Sequence, residues 1–346
     1  MSTLVRDVLQ QVSQGRALDE DAAERFMHEL MEGRVTAVQT AGLLAAMAVR
    51  GEAVSEIVGF ARAMRAHSVR LDTGLDVVDT CGTGGDGGQT FNISTAAAIV
   101  AAACGVPVAK HGNRAVSSRS GSADVLHELG AAIQLSAEEA LACLEETNLC
   151  FLFAQAYHPA MKHAAEPRKQ LGFRTIFNIL GPLTNPAGAR RQVLGVYRAD
   201  LVDKVAEALN RLGTTHALVV HGDGGIDEIS LQGETLIAEV RDGRVRTYTV
   251  VPEDFGLRRA GLAALAGGDA AHNASIIRRV LEGETGPARD VVVLNAGAVL
   301  HVAGRADSIA DGVRLAQAAL DSGDAAAALS RFVEATHRYH REEVAQ

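Results

Sequence analysis

The sequence predicts an α/β protein with a small N-terminal helical domain and a larger α/β domain, whose mixed, mainly parallel central sheet is flanked by helices. Apolar side chains recur at helical spacing through roughly the first 70 residues. Beyond about residue 75, short apolar runs alternate with helical patterns, which is typical of a parallel sheet. Within residues 234–250, Asp242 and Gly243 supply a hairpin turn between two strand-like runs. Antiparallel strands are therefore expected to join the sheet.

We assign residues 1–72 to the helical domain and residues 73–346 to the larger α/β domain. Thr36 followed by Gln39 predicts a capping box at the start of the third helix. The apolar faces of these short helices exceed what they can bury among themselves, so one face is expected to meet another subunit. The proline-containing segment 165–186 is expected to join the two domains.

The larger domain should alternate strands with helices. A helix is expected from about Thr95 and another from about Ala123. Strands are expected at 77–78, 106–109, 150–154, 193–197, 217–220 and 291–294.

Composition excludes several classes of protein. The 346 residues carry 33 basic and 42 acidic side chains, a net charge of -9 that repels nucleic acid and anionic lipid. The longest apolar stretch, 96–108, is interrupted by Gly105 and Pro107 and is too short to span a bilayer. The N-terminus lacks the apolar core of a secretory signal, so a cytoplasmic location is expected.

The strongest motif is the glycine-rich loop within residues 79–95. It follows an apolar strand and leads into a helix near Asn92, Ser94 and Thr95. Glycines let backbone N–H groups converge, and a helix start adds free donors and partial positive charge, so the loop predicts an anion site. A dinucleotide fold is disfavoured because Lys110 lies where the ribose-binding acid is expected, and no Gly-Lys-Ser or Gly-Lys-Thr follows for a Walker loop.

A second phosphate loop is predicted at residues 110–122, between a strand and a helix. Lys110, Arg114 and Arg119 accompany several serine hydroxyls there, a composition suited to binding several phosphate oxygens at once. Two such loops in an acidic protein indicate a multiply phosphorylated ligand. Such ligands bring magnesium, which prefers hard oxygen ligands, and the adjacent Asp227 and Glu228 are the candidates.

At these motifs the chain resembles the anthranilate phosphoribosyltransferases, enzymes of tryptophan biosynthesis. The resemblance runs almost end to end, and its most specific segments are 82–95, 110–126, 158–162, 168–186 and 225–230. It implies an active site in a cleft between the two domains and a homodimer through the helical domain. The substrates it implies are phosphoribosyl pyrophosphate (PRPP) and anthranilate, with Mg²⁺ as cofactor.

The resemblance also implies site residues. For anthranilate it implies Gly82, Asn113 and Arg168, with His111, His158, Gly181 and Pro182 lining the approach, and for magnesium it implies Ser94, Asp227 and Glu228. The residues implied to surround PRPP are Gly82, Gly85, Asp86, Thr90, Asn92, Ile93, Ser94, Thr95, Lys110, His111, Gly112, Asn113, Arg114, Ala115, Val116, Ser117, Ser118 and Ser122.

No catalytic acid or base is assigned. An arylamine is neutral at pH 7 and needs no strong base, and the sequence shows no nucleophile, base and acid triad. Two alternatives remain open at this point. One is a pyrimidine nucleoside phosphorylase, which would use phosphate and a nucleoside, and which the segment around Arg168 disfavours. The other is a non-enzymatic relative that binds nucleic acid, which the net charge disfavours.

Overall fold

The computed structural model describes residues 3–84, 90–115 and 119–340. Its N-terminal part contains four helices: α1 (Thr3–Ser13), α2 (Glu20–Met31), α3 (Ala37–Arg50) and α4 (Val54–Ala66). The expected capping box opens α3, where Thr36 Oγ1 accepts from the Gln39 backbone N–H (3.3 Å) and Gln39 Oε1 accepts from the Thr36 N–H (3.0 Å). The helical interpretation of this region is confirmed.

Two features make the helical bundle tight. The carboxylate of Glu56, fully buried, accepts from the backbone N–H groups of Leu18 and Ala53 and pairs with Arg50. A Cβ on Gly59 would stand 2.3 Å from the carbonyl oxygen of Glu20, so only glycine allows α4 to approach α2 this closely.

The α/β part begins with β1 (Val78–Gly82), and the division that we propose between residues 72 and 73 lies between α4 and this strand. The next strands are β2 (Val108–Gly112), β3 (Leu149–Phe153), β4 (Arg191–Gly195), β5 (His216–Gly222), β6 (Thr235–Arg241) and β7 (Arg244–Val250). Its helices are α5 (Ile93–Ala103), α6 (Ser122–Glu128), α7 (Ala137–Thr147), α8 (Ala154–Tyr157), α9 (Lys162–Leu171), α10 (Phe177–Leu180), α11 (Val202–Arg211), α12 (Ala270–Leu281), α13 (Pro287–Val302), α14 (Ile309–Asp321) and α15 (Asp324–Tyr339).

The strands form one sheet in the order β3-β2-β1-β4-β5-β6-β7. The first five positions in that order pair in parallel, and β6 and β7 pair antiparallel. The hairpin turn falls at Asp242 and Gly243, both with positive φ. The prediction of a mixed, mainly parallel sheet is therefore confirmed.

Alternating residues of the sheet enter two different cores. On β5, Leu218 and Val220 pack in the core that contains α5 and α13. Ala217 and Val219 face the other core, which contains α11 and the N-terminal helices. Burial on both faces explains why the central strands are continuously apolar. Among the described residues, no helix is both long and apolar enough to cross a membrane.

One expected strand is wrong. Residues 291–294 lie within α13, a helix whose residues are buried from Val291 to Val302. A helix that is apolar all round has no amphipathic period, so a short apolar run inside it cannot be distinguished from a buried strand.

The segment 165–186 contacts both parts of the chain. In it, Leu183 offers its carbonyl to Arg65 Nε (2.7 Å), and the Asn185 amide donates to Asp79 on β1 (2.8 Å). Helix α9 ends there, packed against α3.

Candidate active site

The candidate site lies at the carboxyl ends of the parallel strands, where the strand order reverses. From β1 the chain builds outwards through β2 and β3 on one side, and through β4 and β5 on the other. Such a switch point leaves a crevice between the loops that follow neighbouring strands, which is the usual binding position in open α/β sheets. Both predicted phosphate loops open into this crevice, because one follows β1 and the other follows β2.

The first loop directs backbone donors at two carboxylates. The Gly84 N–H donates to Asp227 Oδ2 (2.8 Å), and the Ser94 N–H, at the start of α5, donates to Glu228 Oε1 (3.0 Å). The loop and the helix start therefore offer anion-binding N–H groups, as the glycines predict.

Two glycines allow Asp227 to lie this close to the first loop, because neither has a side chain that would occupy its place. A Cβ at Gly82 would stand 2.1 Å from Asp227 Oδ2, and one at Gly195 would stand 1.6 Å from the Asp227 carbonyl oxygen. These two glycines are paired neighbours at the ends of β1 and β4. Any other residue at either position would displace Asp227 from the crevice.

Asp124 organises the described part of the second loop. Its carboxylate accepts from the backbone N–H groups of Ala115 (2.9 Å) and Gly121 (3.0 Å), and from Arg114 Nη1 (2.9 Å). One side chain at the start of α6 thus holds the backbone of the second loop at both Ala115 and Gly121.

Beneath the loops, β1 and β2 carry a buried polar pair. Lys110 Nζ donates to the Thr80 carbonyl (2.6 Å) and lies 3.4 Å from Ser94 Oγ. Asp79 accepts from the Asn185 amide (2.8 Å) and from the His111 backbone N–H (3.2 Å). Burial raises the pKa of Asp79, while the nearby Lys110 opposes that shift. The pair places the ammonium of Lys110 directly below the phosphate loops.

Two cavities meet at the end of β2. The first, here called the loop cavity, has a volume of about 280 Å³ and lies between the two loops. The second, here called the Arg168 cavity, has about 270 Å³ and extends towards the helical domain. Both are lined by Cys81, Gly82, Thr83, His111, Gly112, Asn113 and Asn178. A molecule in one cavity can therefore touch a molecule in the other.

Arg168 is the cation of the second cavity. It lies in the last turn of α9, half-buried, with its guanidinium carbon 5.0 Å from the centroid of the Phe177 ring. Burial lowers the pKa of Arg168. Among the described residues, no carboxylate forms an ion pair with it, which leaves its fork of N–H donors for a ligand.

Two neutral imidazoles also line the Arg168 cavity. His111 and His158 are buried, with ring centroids 5.1 Å apart. Burial lowers the pKa of His111 to about 3, helped by the neighbouring His158, and it lowers the pKa of His158 to about 4. Both rings are uncharged at pH 7, and both Nε2 atoms lack a hydrogen-bond partner among the described residues.

The structure brings most of the predicted site residues together. The loop cavity is lined by Gly82, Thr90, Asn92, Ile93, Ser94, Thr95, Lys110, His111, Gly112, Asn113, Arg114, Ala115, Ser122, Asp227 and Glu228. The Arg168 cavity is lined by Gly82, His111, Asn113, His158, Arg168, Gly181 and Pro182. Gly85, Asp86, Val116, Ser117 and Ser118 lie outside the described residues. Arg119 lines neither cavity.

Sequence reasoning did not single out several lining residues. Asn178 lines both cavities and accepts the Thr175 N–H (3.0 Å) through Oδ1. Met64 reaches the Arg168 cavity from α4, which makes the helical part a wall of the site. The position of Asn178 within the 168–186 motif is the one signal that could have indicated it. Nothing in the pattern of α4 distinguishes Met64 from an ordinary core residue.

Comparison with known proteins agrees with this architecture. Residues 6–68 match the helical bundle domain of the glycosyl transferase family, and residues 74–326 match its a/b domain. The anthranilate phosphoribosyltransferase of Rubrobacter xylanophilus is 56% identical over 97% of this chain and 98% of its own length. The enzyme of Brevibacillus brevis is also 56% identical, over 91% of this chain and 93% of its own length.

Solved structures give the same result. The anthranilate phosphoribosyltransferase of Thermus thermophilus superposes with a TM-score of 0.91 and 48% identity, covering 96% of this chain and 99% of that one. The Saccharomyces cerevisiae enzyme in complex with PRPP and Mg gives a TM-score of 0.89 and 26% identity, covering 98% and 99%. The chain therefore belongs to the glycosyl transferase family and, within it, to the anthranilate phosphoribosyltransferases.

Proposed function

We propose that this protein transfers the 5-phosphoribosyl group of PRPP to the amino group of anthranilate and releases pyrophosphate, a step of tryptophan biosynthesis. The observation that carries the proposal is the pair of adjoining cavities, one lined by phosphate-binding loops and the other by a half-buried arginine without an ion-pair partner among the described residues. Their shared wall at His111, Gly112 and Asn113 is where the donor and acceptor would meet.

The loop cavity would hold PRPP. The two loops supply backbone N–H groups, the hydroxyls of Ser94 and Ser122, and the cations of Lys110 and Arg114. The predicted contacts of Gly85, Asp86, Val116, Ser117 and Ser118 belong to the same proposal. These groups favour the charge that develops on pyrophosphate as it leaves, which is how fixed donors and cations lower a barrier.

Magnesium is the cofactor that we propose. Asp227, Glu228 and the hydroxyl of Ser94 fit it, because all three offer hard oxygen atoms beside the phosphate loops. The space left by the missing Cβ of Gly82 lets Asp227 reach this position. When bound, the ion neutralises charge on the departing pyrophosphate.

The Arg168 cavity would hold anthranilate. Arg168 can bind the carboxylate through two parallel hydrogen bonds, and the amino group then points towards the shared wall formed with Gly82 and Asn113. The amine attacks the anomeric carbon, the bond from that carbon to pyrophosphate breaks, and the arylammonium product releases a proton to solvent water. Positioning of this kind removes much of the entropic barrier.

No protein base is needed for this reaction. His111 and His158 both line the Arg168 cavity, and their lowered pKa values make both poor bases. We propose instead that they give the acceptor an uncharged wall. The carboxylate of anthranilate then finds its main attraction at Arg168.

A substrate exchange tests the proposal against the phosphorylase alternative. PRPP with anthranilate should give pyrophosphate and N-phosphoribosyl anthranilate, whereas uridine or thymidine with inorganic phosphate should give no free base. Phosphorolysis at a comparable rate would contradict the assignment of the Arg168 cavity.

We further propose a homodimer through the helical domain, in the cytoplasm. Val38 and Val49 are 82% and 91% exposed, and together with Gly42 and Ala45 they form a stripe along one face of α3. Light scattering should give twice the mass of one chain, and Val49→Glu should give a monomer. An unchanged mass in that variant would place the interface elsewhere.

A further inference from the structure

A cluster of two histidines and one glutamate lies at the other end of the sheet from the substrate cavities. His216 begins β5, Glu239 lies on the neighbouring β6, and His301 belongs to the last turn of α13. Strand β5 ends at Gly222, on the cavity side, so roughly 20 Å of strand separates the two ends. The cluster therefore has no part in the proposed transfer reaction.

Sheet register places two of the three side chains on one face. His216 pairs with Arg241, and Leu218 pairs with Glu239, so His216 and Glu239 are diagonal neighbours. His216 Nε2 lies 2.9 Å from Glu239 Oε1. The His301 side chain lies beside them, with its ring centroid 4.9 Å from that of His216.

The hydrogen bond of His301 determines which nitrogen faces the cluster. Its Nδ1 lies 3.2 Å from the Ala306 carbonyl oxygen, which can only accept, so Nδ1 carries the hydrogen. Its Nε2 then presents a lone pair to Glu239 Oε1 at 3.7 Å, a distance too long for a direct hydrogen bond. Two electron-rich atoms that face each other are stabilised by a cation, which here is either a proton on His301 Nε2 or a metal ion.

The separations suit a tetrahedral metal ion. Metal–nitrogen and metal–oxygen bonds of about 2.0–2.2 Å place neighbouring ligand atoms roughly 3.3 Å apart. The observed separations of 2.9 and 3.7 Å lie on either side of that value, and all three ligand atoms lie within 4.8 Å of one another. Shifts of a few tenths of an ångström would complete the geometry.

The surroundings hold the ligands in place. The Tyr248 hydroxyl donates to Glu239 Oε2 (3.2 Å), which leaves Oε1 facing the histidines, and Ala306 orients His301. Hydrogen bonds of this kind from outside the ligand set are typical of protein metal sites. His216 and His301 are 4% and 8% exposed, so a bound ion would be largely shielded from water.

We propose that His216, Glu239 and His301 form a site for a borderline transition metal such as Zn²⁺, with a water molecule as the fourth ligand. Imidazole ligands select zinc-like ions over magnesium, which prefers oxygen throughout. An ion bound by residues of β5, β6 and α13 would link the C-terminal end of α13 to the antiparallel part of the sheet. The site would therefore stabilise the fold.

A second cluster has to be separated from this one in any experiment. His28, Glu32 and His67 meet on the surface of the helical bundle, where His28 Nδ1 and His67 Nε2 lie 3.0 Å apart. Their side chains are 24–37% exposed, so a bound ion would remain in contact with water. Replacing His28 and His67 with glutamine gives a background in which this cluster cannot contribute.

The test uses the full-length protein in that background, stripped with a chelator and kept in excess Mg²⁺ to occupy the oxygen site. Co²⁺ serves as the spectroscopic probe, and Zn²⁺ as its competitor. We expect one Co²⁺ per chain with the intense visible absorption of a four-coordinate ion, and loss of that absorption when Zn²⁺ is added. Zn²⁺ at 100 times its Kd should lower the unfolding equilibrium constant about 100-fold.

Variants then assign the ion to its ligands. His301→Gln and Glu239→Gln should each weaken Co²⁺ binding by more than the 10- to 100-fold typical of lost outer hydrogen bonds. The exposed His127→Gln serves as a matched control and should bind like its parent. Melting without metal, together with the transferase rate, reports whether each variant is folded.

Two results would overturn the proposal. One is a background protein that binds neither Co²⁺ nor Zn²⁺, in which case a proton bridges Glu239 and His301. The other is undiminished binding in both folded ligand variants. Neither result would affect the transferase assignment, because the rate of anthranilate consumption is measured separately.

Discussion

Replacing Arg168 by alanine should raise the KM for anthranilate about 10- to 150-fold. Its guanidinium is half-buried, contacts the Phe177 ring, and has no carboxylate partner among the described residues. A charge-assisted hydrogen bond contributes about 1.5–3 kcal/mol, and this free energy corresponds to the stated range in an equilibrium constant. The KM for PRPP should change much less, because Arg168 does not line the loop cavity.

Two control variants make this prediction specific. Arg168→Lys keeps the charge but loses the two-pronged geometry, so its KM should lie between those of the parent and the alanine variant. Lys169→Ala removes an exposed cation one residue away that lines neither cavity, and it should leave both KM values unchanged. Melting curves should show that all three variants are folded.

The most decisive comparison changes the acceptor substrate rather than the protein. Aniline lacks the carboxylate, so it should be a poor substrate of the parent enzyme and should lose little more with Arg168→Ala. If the substitution impairs anthranilate and aniline equally, Arg168 does not bind the carboxylate. The Arg168 cavity would then lose its main physical support as the acceptor site.

The same geometry supports three further predictions. Asp227→Asn or Glu228→Gln should shift the magnesium titration of the rate to higher concentration with the fold intact, and unchanged titrations in both variants would contradict the metal assignment. PRPP with magnesium should protect the loop at 110–122 from limited proteolysis, and equal cleavage rates with and without them would exclude closure of the loop on the donor. Because His158 has a folded pKa of about 4 against 6.5 unfolded, the unfolded chain binds more protons between these values. The free energy of unfolding should thus fall as pH decreases from about 6.5 to 4, less steeply in His158→Gln, and identical pH dependence in urea titrations would contradict this.

Local chemistry was sufficient to predict the loops. Gly84 in the first loop and Asp242 and Gly243 in the hairpin turn have positive φ, a backbone conformation that few other residues adopt, so their positions indicate structure directly. The capping box at Thr36 is local in the same way. These features depend on residues near one another in sequence, and the structure confirms the turn and the capping box.

Contacts between segments that are distant in the sequence cannot be predicted from local sequence patterns. Met64 lines the Arg168 cavity because α4 packs against α10, and its own helix gives no sign of this. The pairing of Asp79 with Asn185 joins residues 106 positions apart. Residues 291–294 were misassigned because complete burial removes the periodicity that separates a helix from a strand.

The central claim is tested most directly by following anthranilate fluorescence and pyrophosphate release in the same reaction. With PRPP and magnesium present, anthranilate should disappear and pyrophosphate should appear in equal amounts. Omitting PRPP, anthranilate or magnesium in turn should stop both signals. Pyrophosphate release that continues without anthranilate, or anthranilate loss that continues without PRPP, would contradict transfer between the two cavities.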